Sequence, residues 1–189
     1  MPFMTQSELE KVEFGYIGKN VKISTLASFD KPQMMRIGDN SRIDDFCVLS
    51  GEIEIGRNVH IAVMNILVAS REKITLGDFS GLAFGCRLFT SSDDYSGGSL
   101  TNPTVPSKYK KISHGPINIG RHVILGTNTI VFPGVEVSEG CSVGANSLLN
   151  KSTKPWGIYL GAPARRIKER SRNLLDFEMQ YMKELTNEE

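Results

Sequence analysis

Residues 119–149 read Ile119-Gly-Arg-His-Val-Ile-Leu125-Gly-Thr-Asn-Thr-Ile-Val131-Phe-Pro-Gly-Val-Glu-Val137-Ser-Glu-Gly-Cys-Ser-Val143-Gly-Ala-Asn-Ser-Leu-Leu149. An aliphatic residue returns at every sixth position. The residue after it is usually Gly or another small one, as at Gly120, Gly126, Ser138 and Gly144. The fifth position is small or β-branched: Val123, Thr129, Val135, Cys141, Ser147. A period of six fits neither a helix of 3.6 residues per turn nor a strand of period 2, so it marks a repeat. Three such hexads build one triangular coil of short strands. The corners take Gly or Asn, and the aliphatic residues stack from coil to coil. A single coil buries too little apolar surface to offset its ordering entropy, so many coils must stack.

Working outward, hexads begin at Ile17 and Ile23, then at Ile37, Ile43, Leu49, Ile55, Ile61 and Leu67, then at Leu76, Leu82 and Leu88. Residues 27–35 read as a looser excursion containing Asp30-Lys-Pro. The last set is displaced by three residues, which predicts a bulge at Ser70-Arg71-Glu72-Lys73. From Thr90 to Pro116 the repeat stops. That stretch is rich in Gly, Pro and Ser and carries Asp93, Asp94, Tyr95 and Tyr109. A loop this long inside a compact repeat argues for function.

The flanks read as helical. Ser7 and Glu10 have the spacing of a capping box ahead of Leu9, Val12 and Phe14. Ile167, Leu174, Leu175, Phe177, Met179, Met182 and Leu185 form an apolar stripe, and Pro163 suits a first helical turn. The expected organisation is a helical arm at 1–16, a β-solenoid at 17–162 with its loop at 90–116, and an amphipathic helix at 163–189 that covers the open end or side of the solenoid.

The 189 residues carry a formal charge of +1, which gives no field favouring nucleic acid or membrane partners. No apolar run reaches the ~20 residues of a membrane span. The N-terminus lacks the basic and apolar regions of a signal peptide, so a cytoplasmic protein is expected. Cys47, Cys86 and Cys141 all fall in the small fifth slot of a hexad, which argues for buried apolar residues and against a disulfide framework or a metal site.

The hexads resemble those of the hexapeptide-repeat acyltransferases, whose fold is a left-handed parallel β-helix; the handedness is implied by the resemblance. Leu160-Gly-Ala-Pro-Ala-Arg-Arg-Ile resembles the G-x-P-A-[KR] signature that closes the sugar acetyltransferases of this group. The loop lies where the galactoside and maltose acetyltransferases carry their active-site loop. Asn65, twelve residues before Gly77, matches the spacing of an active-site Asn. The phrase Ser91-Ser-Asp-Asp-Tyr-Ser-Gly looks like acyltransferases of surface-polysaccharide clusters. The resemblance implies a homotrimer with active sites between subunits and acetyl-CoA along the coils. It places Gly126, Thr127, Gly144 and Ala145 against the pantetheine arm. Lys151, Arg165 and Lys168, with Arg166, would then meet the phosphates, a role that suits Arg.

One departure bears on chemistry. Sixteen residues after Gly77, where the sugar O-acetyltransferases carry a catalytic His, this chain has Asp93 beside Asp94. A hydroxyl acceptor needs a base near pKa 7, whereas a neutral amine attacks a thioester readily and a carboxylate suffices to orient it. Two adjacent carboxylates also disfavour joint ionisation, which would raise one pKa. The expected function is therefore acetyl transfer from acetyl-CoA to a sugar, tilted towards the amino group of a nucleotide-linked amino sugar, with O-acetylation as the alternative. Asp93, Asp94 and Asn65 are the candidate catalytic residues. Tyr95, His114 and His60 are the candidate acceptor contacts. His60 and His122 otherwise read as solvated corner residues, and their different hexad positions weigh against a zinc site of the β-helical carbonic anhydrase kind. A non-enzymatic scaffold is the third reading, and the long loop and the G-x-P-A-R tail weigh against it. No metal is expected.

Overall fold

The computed structural model describes residues 2–187; Met1 and the expected helix end at 188–189 lie outside it. The chain is the parallel β-helix that the hexads imply, left-handed as the resemblance implies, with three faces. On the first face Ile17, Ile37, Ile55, Leu76, Ile119 and Val137 pair in sequence. On the second, Ile23, Ile43, Ile61, Leu82, Leu125 and Val143 do the same. The third stacks Phe29, Leu49, Leu67, Leu88, Val131 and Leu149. All of these but Ile17 and Phe29 are buried, so every aliphatic hexad position from Ile23 onward lies in the core. Ile17 and Phe29 pack against that core from its edge.

The stretch expected to be an excursion is regular coil. Ser28–Asp30 is a strand paired with 48–50, Phe29 fills the aliphatic slot, and a 3-10 turn at Pro32–Met34 makes the corner. The aromatic side chain hides the repeat from an aliphatic pattern. The displaced register is where the sequence put it: Gly51 pairs with Ala69 and Ile53 with Ile74, so the extra residues lie at 70–73.

One corner carries alternating charge from coil to coil: Lys19, Asp39, Arg57, Asp78, Arg121, Glu139. Asp39 accepts from the Lys19 backbone N–H at 2.8 Å and Asp78 from that of Arg57 at 2.9 Å. Arg121 Nη1 lies 3.9 Å from Glu139. Like charges are thereby kept two coils apart, which removes the repulsion that a uniform ladder would build.

Both ends are closed. At the N-terminus, helix α1 (Gln6–Val12) buries Leu9 on the first coil. Its capping box is Thr5 with Glu8, two residues before the expected Ser7 and Glu10. At the C-terminus the structure corrects the expected helix over 163–189. Arg165–Glu169 is a strand, antiparallel to Gly157–Leu160, and it covers the open edge of the last coil. Its charged side chains then blunt the new edge. Pro163 lies in the connecting turn, outside any helix. Helix α2 starts only at Leu174 and runs to Asn187. Leu174, Leu175, Glu178, Tyr181, Met182 and Leu185 face the solenoid, whereas Phe177 and Met179 of the expected stripe point outward. No helix of the described residues is long and apolar enough to cross a membrane.

Helix α2 covers the side of the solenoid and is fastened by polar contacts. Glu178 pairs with Arg121 and, at 2.9 Å, with His122 Nε2. Tyr181 packs edge-on against Phe79, and its hydroxyl accepts from Asn58 at 3.1 Å. Burial alone would raise the Glu178 carboxyl, but the hydrogen bonds and charges of His122 and Arg121 outweigh it and hold the group below its ordinary 4.5. A carboxyl depressed in the folded state stabilises fully above its unfolded value and loses that contribution as the pH falls through the folded one. The protection of the α2 amides, read as exchange rate relative to the unfolded chain at the same pH, is therefore expected to hold from pH 8 down to about 4.5 and to fall below it. Glu178→Gln should flatten that dependence. Loss of protection already between pH 7 and 6 would contradict this.

Candidate active site

The loop is anchored at its base, where Ser91–Ser92 pairs antiparallel with Ser113–His114. Within it the two aspartates have separate roles. Asp94 accepts from the Ser96 backbone at 2.9 Å, the Ser96 hydroxyl at 2.6 Å and the Ser99 hydroxyl at 3.2 Å. These bonds, Ser96 first, lower its pKa. The expected raised carboxylate is therefore not Asp94: it is a turn former whose lone pairs the loop itself uses. Asp93 accepts one hydrogen bond, from the Asn102 N–H at 3.2 Å. It lines a cleft of about 190 Å³ with Ser92 and Lys110. Tyr95 stands at the tip, 93% exposed. His114 is half-buried at the base, and its Nδ1 has no hydrogen-bond partner among the described residues.

Asn65 is wholly buried. Its amide donates to Ala62 O at 2.7 Å and Ala83 O at 2.9 Å, and its Oδ1 accepts from Cys86 N at 3.0 Å. Both amide protons and one of the two Oδ1 lone pairs are taken by the backbone of two successive corners. In this geometry Asn65 acts as a bracket between coils. Cys47, Cys86 and Cys141 are buried free thiols in the same slot type. Burial pushes the Cys47 and Cys86 thiols up to about 11.

One histidine differs from the expected solvated corners, His122; His60 is exposed, with 52% of its side chain accessible, but it is paired. His122 is 7% exposed, stacked on Phe79 and bonded to Glu178. His60 Nε2 meets Asp44 Oδ2 at 2.8 Å. Asp44 is buried and also bonded to Arg42; burial would raise its pKa, but those two partners outweigh it and lower it. This His–Asp pair was missed in the sequence because the partners are sixteen residues apart on neighbouring coils. His60 borders a groove of about 240 Å³ walled by Ala62, Ala83, Phe84 and Ile124. His60 and His122 line one cavity beneath α2 and His114 stands apart at the loop base, and no group of three or more His, Cys, Asp or Glu gathers among the described residues.

The expected cofactor residues fall into two groups. Gly126 and Thr127 stack directly on Gly144 and Ala145 at one corner, next in line after Ala83 and Phe84. A Cβ at Gly126 would lie 2.6 Å from Ala145 N, so only glycine lets these corners touch. Lys151 and Arg165, with Arg166, line one pocket of about 340 Å³ at the C-terminal end. Lys168 is apart, paired with Ile158 on the edge strand.

An acyltransferase from Escherichia coli that acts on dTDP-4-amino-4,6-dideoxy-D-glucose is 39% identical over 181 residues, 94% of each chain. The chain belongs to the hexapeptide-repeat sugar acyltransferases. It superposes on AntD, an N-acyltransferase from Bacillus cereus solved with dTDP and 3-hydroxybutyryl-CoA, with a TM-score of 0.96 and 40% identity over 98% of this chain and all of that one. A maltose O-acetyltransferase from Clostridium difficile 630 shares the fold, with a TM-score of 0.55 and 20% identity over 89% of this chain and 80% of its own. No family model matches the sequence.

Replacing Asn65 separates a bracket from a catalytic group. Asn65→Ala strands the Cys86 N–H in the interior, at about 1–3 kcal/mol for an unsatisfied group, and leaves the Ala62 and Ala83 carbonyls with only the weak thiol donors of Cys47 and Cys86. We expect a clearly lower denaturation midpoint. Wild-type stability with lost activity would restore the catalytic role.

Proposed function

We propose that the chain transfers an acetyl group from acetyl-CoA to the amino group of a nucleotide-linked amino sugar, of the dTDP-4-amino-4,6-dideoxyglucose class. The carrying observation is Asp93: the loop position that bears His in the hydroxyl-acylating relatives bears a carboxylate facing a cleft, with one hydrogen bond of its own. The acceptor is bound as an ammonium and must lose a proton to react. Asp93 anchors it and takes that proton. The neutral nitrogen attacks the thioester carbonyl, the C–N bond forms, the C–S bond breaks, the nitrogen's second proton goes to the departing thiolate to give free CoA thiol, and Asp93 releases the first proton to solvent.

CoA lies along the corner of Gly126-Thr127 and Gly144-Ala145, with its phosphates near Lys151 and Arg165. His60, held by Asp44, borders the groove on the acceptor side, and Tyr95 and His114 frame the loop. Lys168 is a weaker candidate because it stands outside the basic pocket.

We further propose a homotrimer. Leu26, Phe46, Met64 and Phe84 leave a large exposed apolar side chain on each of four successive coils at one corner. Phe46 and Met64 hold left-handed backbone, φ 59° and 64°, to do so. A continuous apolar ridge on a soluble chain favours a partner surface. A cytoplasmic place in O-antigen or capsule-type synthesis is supported by the loop phrase Ser91-Ser-Asp-Asp-Tyr-Ser-Gly.

Asp93→Asn is expected to lower kcat by about 100-fold or more with the KM for acetyl-CoA unchanged. Asp94→Asn should act through loop order, with a smaller effect that includes a raised acceptor KM. Full activity of Asp93→Asn would overturn the assignment.

A further inference from the structure

The two halves of the loop are joined by two chains of hydrogen bonds, one for each aspartate. Asp94 Oδ2 accepts from the Ser99 hydroxyl at 3.2 Å, and Ser99 Oγ accepts from the Lys111 backbone N–H at 3.1 Å. Asp93 Oδ2 accepts from the Asn102 N–H at 3.2 Å, and the carbonyl of the same Asn102 accepts from Lys110 Nζ at 2.9 Å. Adjacent aspartates are met by adjacent lysines, but unequally. Lys111 serves through its backbone, whereas Lys110 serves through its ammonium. The chain from Asp93 is the one that borders the cleft, where Asp93 and Lys110 form the walls with Ser92 and Pro103.

Asn102 is held in an uncommon conformation. Its φ is 69°, in the left-handed region, and Pro103 follows it. Asn tolerates that region better than most residues, but a following proline narrows the backbone choice further. Such a conformation persists where the neighbours over-determine it. Here the side-chain Oδ1, the N–H and the carbonyl of Asn102 are all engaged. Oδ1 accepts from the Thr104 N–H at 3.0 Å and the Thr104 hydroxyl at 2.5 Å, which closes a turn local to the segment. The other two groups tie Asp93 to Lys110 across a single residue.

An aspartate carboxyl turns in a broad, roughly two-fold well about χ2, so one hydrogen bond decides which oxygen faces where. With Oδ2 on the Asn102 N–H, Oδ1 has no partner among the described residues and is left to the cleft. We propose that Lys110 is the positioning residue of Asp93. By pinning the Asn102 carbonyl it sets the N–H that orients the carboxylate, and with it the oxygen that takes the acceptor's proton. This rests on the role proposed for Asp93 above. Without the ammonium, Asn102 is free to swing with the exposed turn at 102–104, and the carboxylate turns with it. A reacting group misplaced by about 1 Å can lose about a hundredfold in rate.

The test is thiol release from acetyl-CoA with dTDP-4-amino-4,6-dideoxy-D-glucose, for the full chain and for Lys110→Met, Lys110→Arg and Lys111→Met. Lys110→Met is also combined with Asp93→Asn, and the melting temperature of each variant is the folding control. Lys110→Met should lower kcat about tenfold with the KM for acetyl-CoA unchanged. Lys110→Arg, which keeps a cationic donor, should return to within about threefold of wild type. Lys111→Met removes the neighbouring charge, leaves the backbone chain intact and should leave kcat close to wild type. In Asp93→Asn, Lys110→Met should bring no further loss, because a residue that acts through another then has nothing to act on. Wild-type kcat in Lys110→Met beside an impaired Asp93→Asn would overturn the positioning role and leave Asp93 standing. An equal loss in both backgrounds, a loss confined to the acceptor KM, or an equal loss in Lys111→Met would mean that Lys110 acts by its charge or on the substrate itself, and would overturn the role too. Full activity of Asp93→Asn would overturn both readings. No thiol release by wild type with this acceptor would overturn the acceptor class, and the positioning role with it.

Discussion

The structure depends on one close approach. At one corner of every coil from Gly18 to Gly120 the backbone rests on the backbone of the next, and only glycine allows it; the final coil, with Ser138 there, carries no further glycine contact. A Cβ on Gly38 would lie 2.6 Å from the Gly56 carbonyl carbon, and one on Gly77 2.7 Å from Arg121 N. That contact sets the spacing at which Ile37, Ile55, Leu76 and Ile119 meet in the core. Interiors are close-packed, so the aliphatic column and the glycine column are two sides of one constraint. Everything the protein does on its surface inherits this ruler: residues one coil apart are neighbours whatever their separation in sequence.

That inheritance explains how sites arise here. His60 meets Asp44, and Asn65 brackets Ala83 and Cys86, because each pair sits one coil apart. Gly126 touches Ala145 for the same reason. The loop at 90–116 breaks the ruler once and hangs Asp93 outside it. Helix α2 breaks it a second time, clamped by Glu178 on Arg121 and His122, and encloses space that the coils alone do not.

Most of the solenoid was legible because its rule is periodic. The aliphatic hexads, the register slip at 70–73 and the loop limits all follow from counting. What failed was aperiodic or hidden by chemistry. Phe29 fills an aliphatic slot, so its coil looked irregular. Arg165–Glu169 has the polarity of a helix face but pairs as an edge strand, because an open sheet edge next to it has unmet hydrogen bonds. The spacing of Asn65 matched a catalytic residue, yet spacing does not say whether an amide points in or out. The paired look of Asp93 and Asp94 dissolved once Ser96 and Ser99 were seen to claim one of them. The aromatic breaks at Phe79 and His122 in a run otherwise written Gly-x-Asn were on view in the sequence, but their meaning needed α2 on the other side.

The central claim is that a carboxylate in place of the loop histidine commits this scaffold to amine acceptors. The direct measurement is thiol release from acetyl-CoA with matched nucleotide sugars, each carrying an amino group or a hydroxyl at the same carbon. The account predicts turnover with the amino members, at least a hundredfold above the hydroxyl members. Comparable turnover of the hydroxyl members would mean that a true general base operates in this site, and would contradict it.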